Sequence, residues 1–123
     1  MIGGPLAPGT KVYLYGAATD MRKGFDGLGA LAAKVIRMDP FSGHMFVFRS
    51  RRGDYLKVLH WDGSGLCLFS KRLERGKFVW PPVMNETLQL TAAQLALLVE
   101  GMDWRRTHVP LGVPDAEKAP VLL

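Results

Sequence analysis

The sequence has one cysteine and no long apolar run, and each of these gaps excludes a class of protein. Cys67 has no second cysteine with which to form an intramolecular disulfide, so the chain is not a disulfide scaffold and a reducing, cytoplasmic setting is expected. No apolar run approaches the roughly 18 residues that a membrane span requires. Residues 1–5 do not resemble the start of a signal peptide. We therefore expect neither secretion nor a membrane partner.

Metal-ligating and phosphate-binding motifs are also lacking. His44, His60 and Cys67 do not have the close paired spacing of a zinc site. No glycine-rich loop of the Walker or dinucleotide-binding type is present. The sequence therefore predicts no metal ion and no cofactor.

Acidic residues are scattered, which argues against catalysis. A two-metal nuclease requires several carboxylates that meet near the substrate. Asp20 is better explained as a helix cap, Asp62 as a turn residue, and Glu74 as a partner for the surrounding cations. We predict no catalytic residue, and a metal-dependent nuclease that uses Asp20 with Asp62 or Glu74 stays as a third hypothesis.

What is present is the composition of one folded domain. Hydrophobic residues make up 48% and charged residues 22% of the 123 residues, which is typical of a globular protein. The periodicity predicts an α+β fold in which an antiparallel β-meander packs with two helices. We expect this single domain at residues 11–106, after a flexible arm at residues 1–10 and before an irregular tail at residues 107–123.

The predicted elements follow from apolar periodicity and turn chemistry. Five runs have the composition of strands: residues 11–15, 45–49, 55–62, 65–72 and 87–90. A helix is predicted over residues 21–37, capped by Thr19 or Asp20. A second helix over residues 92–100 follows a capping-box pattern and ends at Gly101.

Two tight turns, at residues 52–53 and 63–64, would set the register of the meander. Side chains alternate between the two faces of a strand, so the register assigns one face as the core: Phe46, Phe48, Leu59, Trp61, Leu66 and Leu68. The opposite face is also apolar. We expect a helix or a second copy of the chain to cover it, which makes a homo-oligomer a candidate assembly.

Positive charge is concentrated in one segment. The formal net charge is +5, and residues 49–77 hold eight basic residues against three acidic ones, so the remaining chain is neutral. The basic residues of this segment are Arg49, Arg51, Arg52, Lys57, Lys71, Arg72, Arg75 and Lys77. A neutral body with one basic segment is typical of a protein that binds phosphate groups.

The predicted register brings part of this charge together. Alternate strands of a meander return to the same end, so the strand end at residues 71–72 lies beside the hairpin tip at residues 51–52. We expect one basic rim there: Arg49, Arg51, Arg52, Lys57, Lys71 and Arg72. Trp80, before two prolines, is the candidate for stacking on a base. The alternative is that these cations are ordinary solvated surface that protects edge strands from aggregation.

A second basic pair lies at the predicted start of the first helix. Backbone N–H groups there, together with Arg22 and Lys23, would suit a phosphate. The alternative is that Asp20 only caps the helix and that the two cations are solvated.

Five segments in this order resemble a known family: residues 20–24, 39–44, 46–48, 71–78 and 79–81. They are similar to the TnpB-type accessory protein that is encoded by the second small reading frame of insertion sequence 66 family elements. The resemblance covers about residues 12–104. It implies that the protein assists transposition while a separate, longer protein supplies the transposase chemistry. The resemblance assigns no catalytic or binding residue.

Two hypotheses follow. The first is a non-catalytic accessory factor that binds DNA, either element ends or any sequence, through a set of basic residues and one aromatic residue: Arg22, Lys23, Arg49, Arg51, Arg52, Lys57, Lys71, Arg72, Arg75, Lys77 and Trp80. The second is a protein-interaction module that docks on the transposase through the apolar sheet, without direct contact to DNA.

Overall fold

The fold is a five-stranded mixed sheet with one helix on each face. The computed structural model describes residues 8–81 and 86–105. Its elements are β1 (Val12–Ala18), α1 (Phe25–Leu31) followed directly by a π-helical turn (Ala32–Ile36), β2 (Met45–Arg49), β3 (Tyr55–Trp61), β4 (Leu66–Arg72), β5 (Thr87–Leu90) and α2 (Ala92–Val99). Residues 1–7 of the predicted arm and the whole predicted tail lie outside the described residues. No helix in the described ranges is long and apolar enough to cross a membrane.

The strand order is β4-β3-β2-β1-β5. The predicted α+β class and the meander β2-β3-β4 are confirmed, and so is the register, with Phe46 opposite Leu59 and Trp61 opposite Leu66. The glycines of both turns have the positive φ that the turns require, +82° at Gly53 and +102° at Gly63. The neighbouring strands β1 and β2 run parallel, because α1 carries the chain back between them.

Strand β1 extends past Gly16, where the sequence predicted its end. The pairing with β2 shifts register between Leu14 and Ala18, and Gly16 donates its N–H to the carbonyl of Glu86 at 2.9 Å. A glycine is tolerated at such an irregularity because it has no Cβ. The strand therefore reaches Ala18, and its carboxyl end lies beside that of β2.

Helix α1 begins at Phe25, four residues after the predicted start. The side chain of Asp20 accepts hydrogen bonds from the backbone N–H of Arg22 at 2.9 Å and from its guanidinium, while Lys23 donates its N–H to the Asp20 carbonyl at 3.1 Å. These bonds hold a turn instead of a helical start. Gly24 is the residue before the helix, and no side chain caps it.

Helix α2 matches its prediction closely. The Thr91 hydroxyl accepts from the Gln94 N–H at 3.0 Å, and the Gln94 side chain accepts from the Thr91 N–H at 2.8 Å. This reciprocal pair is the predicted capping box. The chain leaves the helix through Gly101, whose φ is +76°.

Apolar side chains fill both sides of the sheet. Phe46, Phe48 and Leu59 are fully buried together with Leu28 of α1, which confirms the centre of the predicted core face. Leu66 and Leu68, on β4 at the edge of the sheet, are only partly buried against this cluster, and Trp61 is half-buried outside it. On the opposite face, Leu98 of α2 belongs to a second buried cluster, which lies over the sheet residues Leu14, Met45, Val47 and Val58. Of the two covers predicted for that face, a helix of the same chain is the one observed. Burying each large apolar side chain stabilises the fold by about 1.5–3 kcal/mol.

Candidate nucleic-acid interface

Several exposed basic residues of the predicted set lie around the carboxyl ends of β1 and β2. Because these strands are parallel, the loop after β1 and the hairpin after β2 leave the sheet at the same edge. The ladder between β3 and β4 pairs Tyr55 with Arg72, so the end of β4 returns to this edge as well. Three segments that are distant in sequence therefore meet there.

These segments enclose an open cleft of about 550 Å³. We call it the arginine cleft. Its lining residues are Ala18, Thr19, Asp20, Met21, Ser50, Arg51, Arg52, Asp54, Tyr55 and Arg72. The three arginines are exposed, and the predicted convergence of the hairpin tip with the end of β4 is present. In open α/β sheets, ligands bind beyond the carboxyl ends of parallel strands.

Lys77 adds a further cation to the same region. Its Cδ would lie 3.7 Å from a Cβ built at Gly53, in the turn that carries Arg51 and Arg52. Arg75 and Lys77 are both exposed in the segment after β4. Lys23 is also exposed, and it lies two residues after Met21, which lines the cleft.

Arg49 is not part of an exposed rim, which differs from the prediction. It is 8% exposed, its Nε donates to the Gly16 carbonyl at 2.6 Å, and its Nη1 donates to the Ser50 carbonyl at 3.2 Å. Burial lowers the pKa of the guanidinium. Arg49 satisfies backbone carbonyls at the carboxyl ends of β1 and β2, beneath the cleft.

Two lysines of the predicted rim are also used inside the fold. Lys57 is 8% exposed; its Nζ donates to the Lys23 carbonyl at 2.9 Å and lies 5.8 Å from the centre of the Tyr55 ring. Lys71 is half-buried, and its Nζ donates to the Val99 carbonyl at 2.8 Å. A cation at the carboxyl end of α2 is favourable because the last carbonyls of a helix carry partial negative charge.

Trp80 supports the hairpin instead of projecting from the surface. It is half-buried, its Nε1 donates to the Gly53 carbonyl at 2.9 Å, and its ring lies edge-on to Phe78 at a centroid distance of 5.8 Å. The ring that lines the cleft is instead Tyr55.

Arg22 and Asp20 form a bidentate ion pair in the loop between β1 and α1. The guanidinium nitrogens lie 2.8 Å and 3.0 Å from the two carboxylate oxygens, and the Arg22 side chain is 91% exposed. Hydrogen bonds from Arg22 hold the pKa of the Asp20 carboxyl well below its usual range, and the carboxylate raises the pKa of Arg22. The predicted phosphate site on the helix N–H groups is replaced by this turn.

The acidic residues weighed for a nuclease do not all converge. Asp62 lies in the turn between β3 and β4, and the seven residues of β3, about 20 Å at 3.3 Å per residue, separate it from the edge that carries Asp20. Its carboxylate accepts from the N–H groups of Ser64 and Gly65, both at 2.9 Å, which lower the pKa of Asp62 to about 2. Within residues 8–81 and 86–105, no cluster of three or more His, Cys, Asp or Glu side chains is placed to hold a metal ion.

Sequence reasoning missed two polar residues of the cleft, Thr19 and Ser50. Thr19 is 7% exposed, and its backbone N–H donates to the Arg49 carbonyl at 2.8 Å. Its hydroxyl has no hydrogen-bond partner in the described part of the chain. The available signal was position, since Thr19 directly follows a strand that runs parallel to its neighbour.

The chain matches known proteins over most of its length. Residues 10–109 match a family model described as IS66 Orf2 like protein. Two similar proteins come from Sinorhizobium fredii. The uncharacterized protein y4hO is 44% identical over 101 residues, which cover 82% of this chain and 88% of that protein. The uncharacterized protein y4jC is 42% identical over 98 residues, which cover 80% of this chain and 84% of that protein. No solved structure matches the chain.

Proposed function

The chain belongs to the family of IS66 Orf2 like proteins, and from that membership and the arginine cleft we propose a non-catalytic accessory protein of transposition that binds DNA. The family suggests the accessory role in transposition. The observation that supports DNA as the ligand is the convergence of Arg51, Arg52 and Arg72 on one cleft at one edge of the sheet.

The cleft is suited to phosphate because its cations outnumber its anions and remain exposed. Three arginines and two aspartates line it, and Asp20 is already paired with Arg22. Asp54 accepts a hydrogen bond from the Ser50 hydroxyl at 3.3 Å. The arginine guanidinium presents several N–H donors in a planar fork that matches phosphate oxygens.

In this proposal, Arg51, Arg52, Arg72 and Lys77 contact the DNA backbone, and Arg22, Lys23 and Arg75 extend the positive field around them. Such contacts fix the position of DNA on the protein and carry little sequence information. The accessory protein would hold the DNA of the element while a separate transposase performs the chemistry. No step of this role requires a catalytic residue.

A salt titration of DNA binding tests the proposal. Affinity for duplex and single-stranded DNA is measured against salt concentration for the native chain and for Arg51→Ala combined with Arg52→Ala. The slope of log affinity against log salt falls by about 0.9 for each duplex phosphate contact that is lost. The double variant is therefore expected to bind more weakly and with a slope about two units smaller.

Lys11→Ala combined with Lys34→Ala is the matched control. Both lysines are exposed and neither lines the cleft. Lys11 precedes the amino end of β1, which is the opposite edge of the sheet. Absence of binding at low salt, or equal losses in the two double variants, would contradict the proposal.

Docking on the transposase is the second candidate function. The apolar sheet face that the sequence offered for this contact is covered by α2. The observation that now favours docking is the outer edge of β4, seven residues long, which no strand pairs within the described ranges. A pull-down with the transposase in nuclease-treated extract separates the candidates, because only direct docking survives removal of nucleic acid.

A further inference from the structure

One residue that lines the arginine cleft has a buried hydroxyl without a hydrogen-bond partner in the described part of the chain. Thr19 is 7% exposed and lines the cleft, yet its Oγ1 has no hydrogen-bond partner among residues 8–81 and 86–105. A buried hydroxyl that is not paired costs about 1–3 kcal/mol. The threonine is therefore unfavourable for the fold alone, and valine would have nearly the same shape without that cost.

The other lining groups have complementary chemistry. Arg51, Arg52 and Arg72 offer donors for a phosphate, and Tyr55 offers an aromatic ring. The Tyr55 ring is half-buried and is fixed from one side by Lys57, whose Nζ lies 5.8 Å from the ring centre. Aromatic rings beside phosphate-binding arginines are the elements with which proteins hold unpaired nucleotides.

The size of the cleft limits what can enter it. A volume of about 550 Å³ lies within the range of roughly 300–1,000 Å³ of small-ligand sites. One nucleotide fits such a volume, whereas a base-paired duplex can only lie across the opening. A base in a duplex is also stacked on both sides, so Tyr55 is available only to a base that has left the stack.

We infer that the arginine cleft binds one unpaired nucleotide, with its phosphate on Arg51, Arg52 and Arg72, its base on the Tyr55 ring, and the Thr19 hydroxyl as an additional donor. The source of the nucleotide, a DNA strand, rests on the proposed function. A free nucleotide has the same chemistry, and the experiment distinguishes the two sources. Within the accessory role, the cleft would take a base of single-stranded DNA, whereas duplex DNA would contact only the exposed arginines and lysines at the opening of the cleft.

Fluorescence anisotropy with three probes tests this inference on the full chain. The probes are a short labelled oligothymidylate, a labelled blunt linear duplex without unpaired nucleotides, and thymidine monophosphate, used both unlabelled as a competitor and labelled for direct binding. We expect the single strand to bind more tightly than the duplex, and the monophosphate to displace it. Thr19→Val should weaken single-strand binding by about three- to tenfold, the worth of one hydrogen bond, and should leave duplex binding unchanged.

Controls separate a role in binding from a role in folding. Thr19→Val is expected to keep or raise the melting temperature, because it removes an unpaired buried hydroxyl. Tyr55→Phe retains the ring and should keep the preference for the single strand, whereas Tyr55→Leu should abolish it. Arg75→Ala, outside the cleft lining, should weaken both DNA forms equally.

The outcomes distinguish this inference from the proposed function. Salt-dependent binding with equal affinity for both DNA forms, unchanged by Thr19→Val, overturns the unpaired-nucleotide site and leaves the DNA-binding proposal standing. Direct binding of the labelled monophosphate without binding of either DNA supports the nucleotide site with a free nucleotide as its source, and it overturns the DNA-binding proposal. Absence of binding to all three probes overturns both.

Discussion

The indole Nε1 of Trp80 donates a hydrogen bond to the carbonyl of Gly53 at 2.9 Å, and this bond fixes the turn that presents Arg51 and Arg52. The backbone N–H of Phe78 donates to the same carbonyl at 2.9 Å. A Cβ on Gly53 would lie 2.9 Å from the Trp80 Nε1. Two hydrogen bonds from the segment that follows β4 thus hold the hairpin of the arginine cleft in place. A side chain at position 53 would displace that segment.

Gly53→Ala is expected to lower the free energy of unfolding by about 1–3 kcal/mol, because an L-residue is strained at this positive φ and the new methyl contacts the indole. DNA affinity should fall with it, since the turn carries two of the three cleft arginines. Urea denaturation measures the first effect and a DNA titration the second. Gly63→Ala is the control, because Gly63 also has a positive φ but nothing lies within 4 Å of its Cβ position. Equal destabilisation by the two variants would show that the contact with Trp80 contributes nothing.

Arg49 and Arg51 are close in the same hairpin, but substitution by methionine is expected to lower the stability of the fold at Arg49 and the affinity for DNA at Arg51. Arg49→Met leaves the Gly16 carbonyl without its donor and should lower the free energy of unfolding by about 1–3 kcal/mol. Its effect on the DNA affinity of the folded protein should be small. Arg51→Met should change stability by less than about 0.5 kcal/mol and weaken DNA binding. If Arg49→Met and Arg51→Met lowered the DNA affinity equally, Arg49 would have to be counted among the residues that contact DNA.

The register of the meander could be predicted because two independent signals agree. Apolar alternation fixes which residues share a face, and the glycines at positions 53 and 63 fix the length of each turn. The parallel pairing of β1 with β2 was not predicted, because alternation is the same for parallel and antiparallel neighbours; the signal for it was the helix predicted between the two strands, which is the crossover that a parallel pair requires. The start of α1 at Phe25 was not predicted, because the apolar periodicity of a helix already begins at Met21. The hydrogen bonds between Asp20 and Arg22 hold a turn there instead.

The cleft could be predicted only in part, for a related reason. Charge counting located the cations, and the register correctly joined the hairpin tip to the end of β4. Neither signal could show which of the cations donate hydrogen bonds inside the fold and are therefore not available on the surface. Arg49, Lys57 and Lys71 each donate to a backbone carbonyl that is 33, 34 and 28 residues away in sequence, respectively. Contacts at that separation leave no local pattern, so buried and exposed cations look alike in the sequence.

The capping box of α2 gives a prediction about stability alone. Thr91→Ala removes the acceptor for the Gln94 N–H and should lower the free energy of unfolding by about 1 kcal/mol. Thr91→Ser keeps the acceptor and should be nearly neutral. Thermal unfolding of the two variants measures the difference. DNA affinity should be unchanged in both, because α2 packs on the sheet and contributes no residue to the cleft lining; a change in affinity would show that the helix acts on the cleft.

Asp62 should contribute to the pH dependence of stability. Hydrogen bonds from the Ser64 and Gly65 N–H groups lower its pKa from 3.8 to about 2. A carboxyl with a lowered pKa in the folded state stabilises the fold above its unfolded pKa and loses that contribution as the pH falls. The melting temperature of Asp62→Asn should therefore lie below that of the native chain above about pH 4, and the difference should disappear near the folded-state pKa of about 2. A difference that is constant with pH would mean that the carboxylate charge is not involved.

Asp20 provides the last prediction, because its carboxylate lines the arginine cleft and opposes the phosphate that we propose as ligand. Asp20→Asn removes this charge and releases Arg22 from its ion pair, while the amide oxygen can still accept from the Arg22 N–H. DNA affinity should rise by about two- to fivefold at low salt, the effect of one charge near the surface, and the gain should disappear at high salt through screening. Asp103→Asn is the matched control, because Asp103 forms the same pair with Arg105 but does not line the cleft. Weaker binding by Asp20→Asn, or an equal gain in both variants, would show that the cleft is not where DNA phosphate binds.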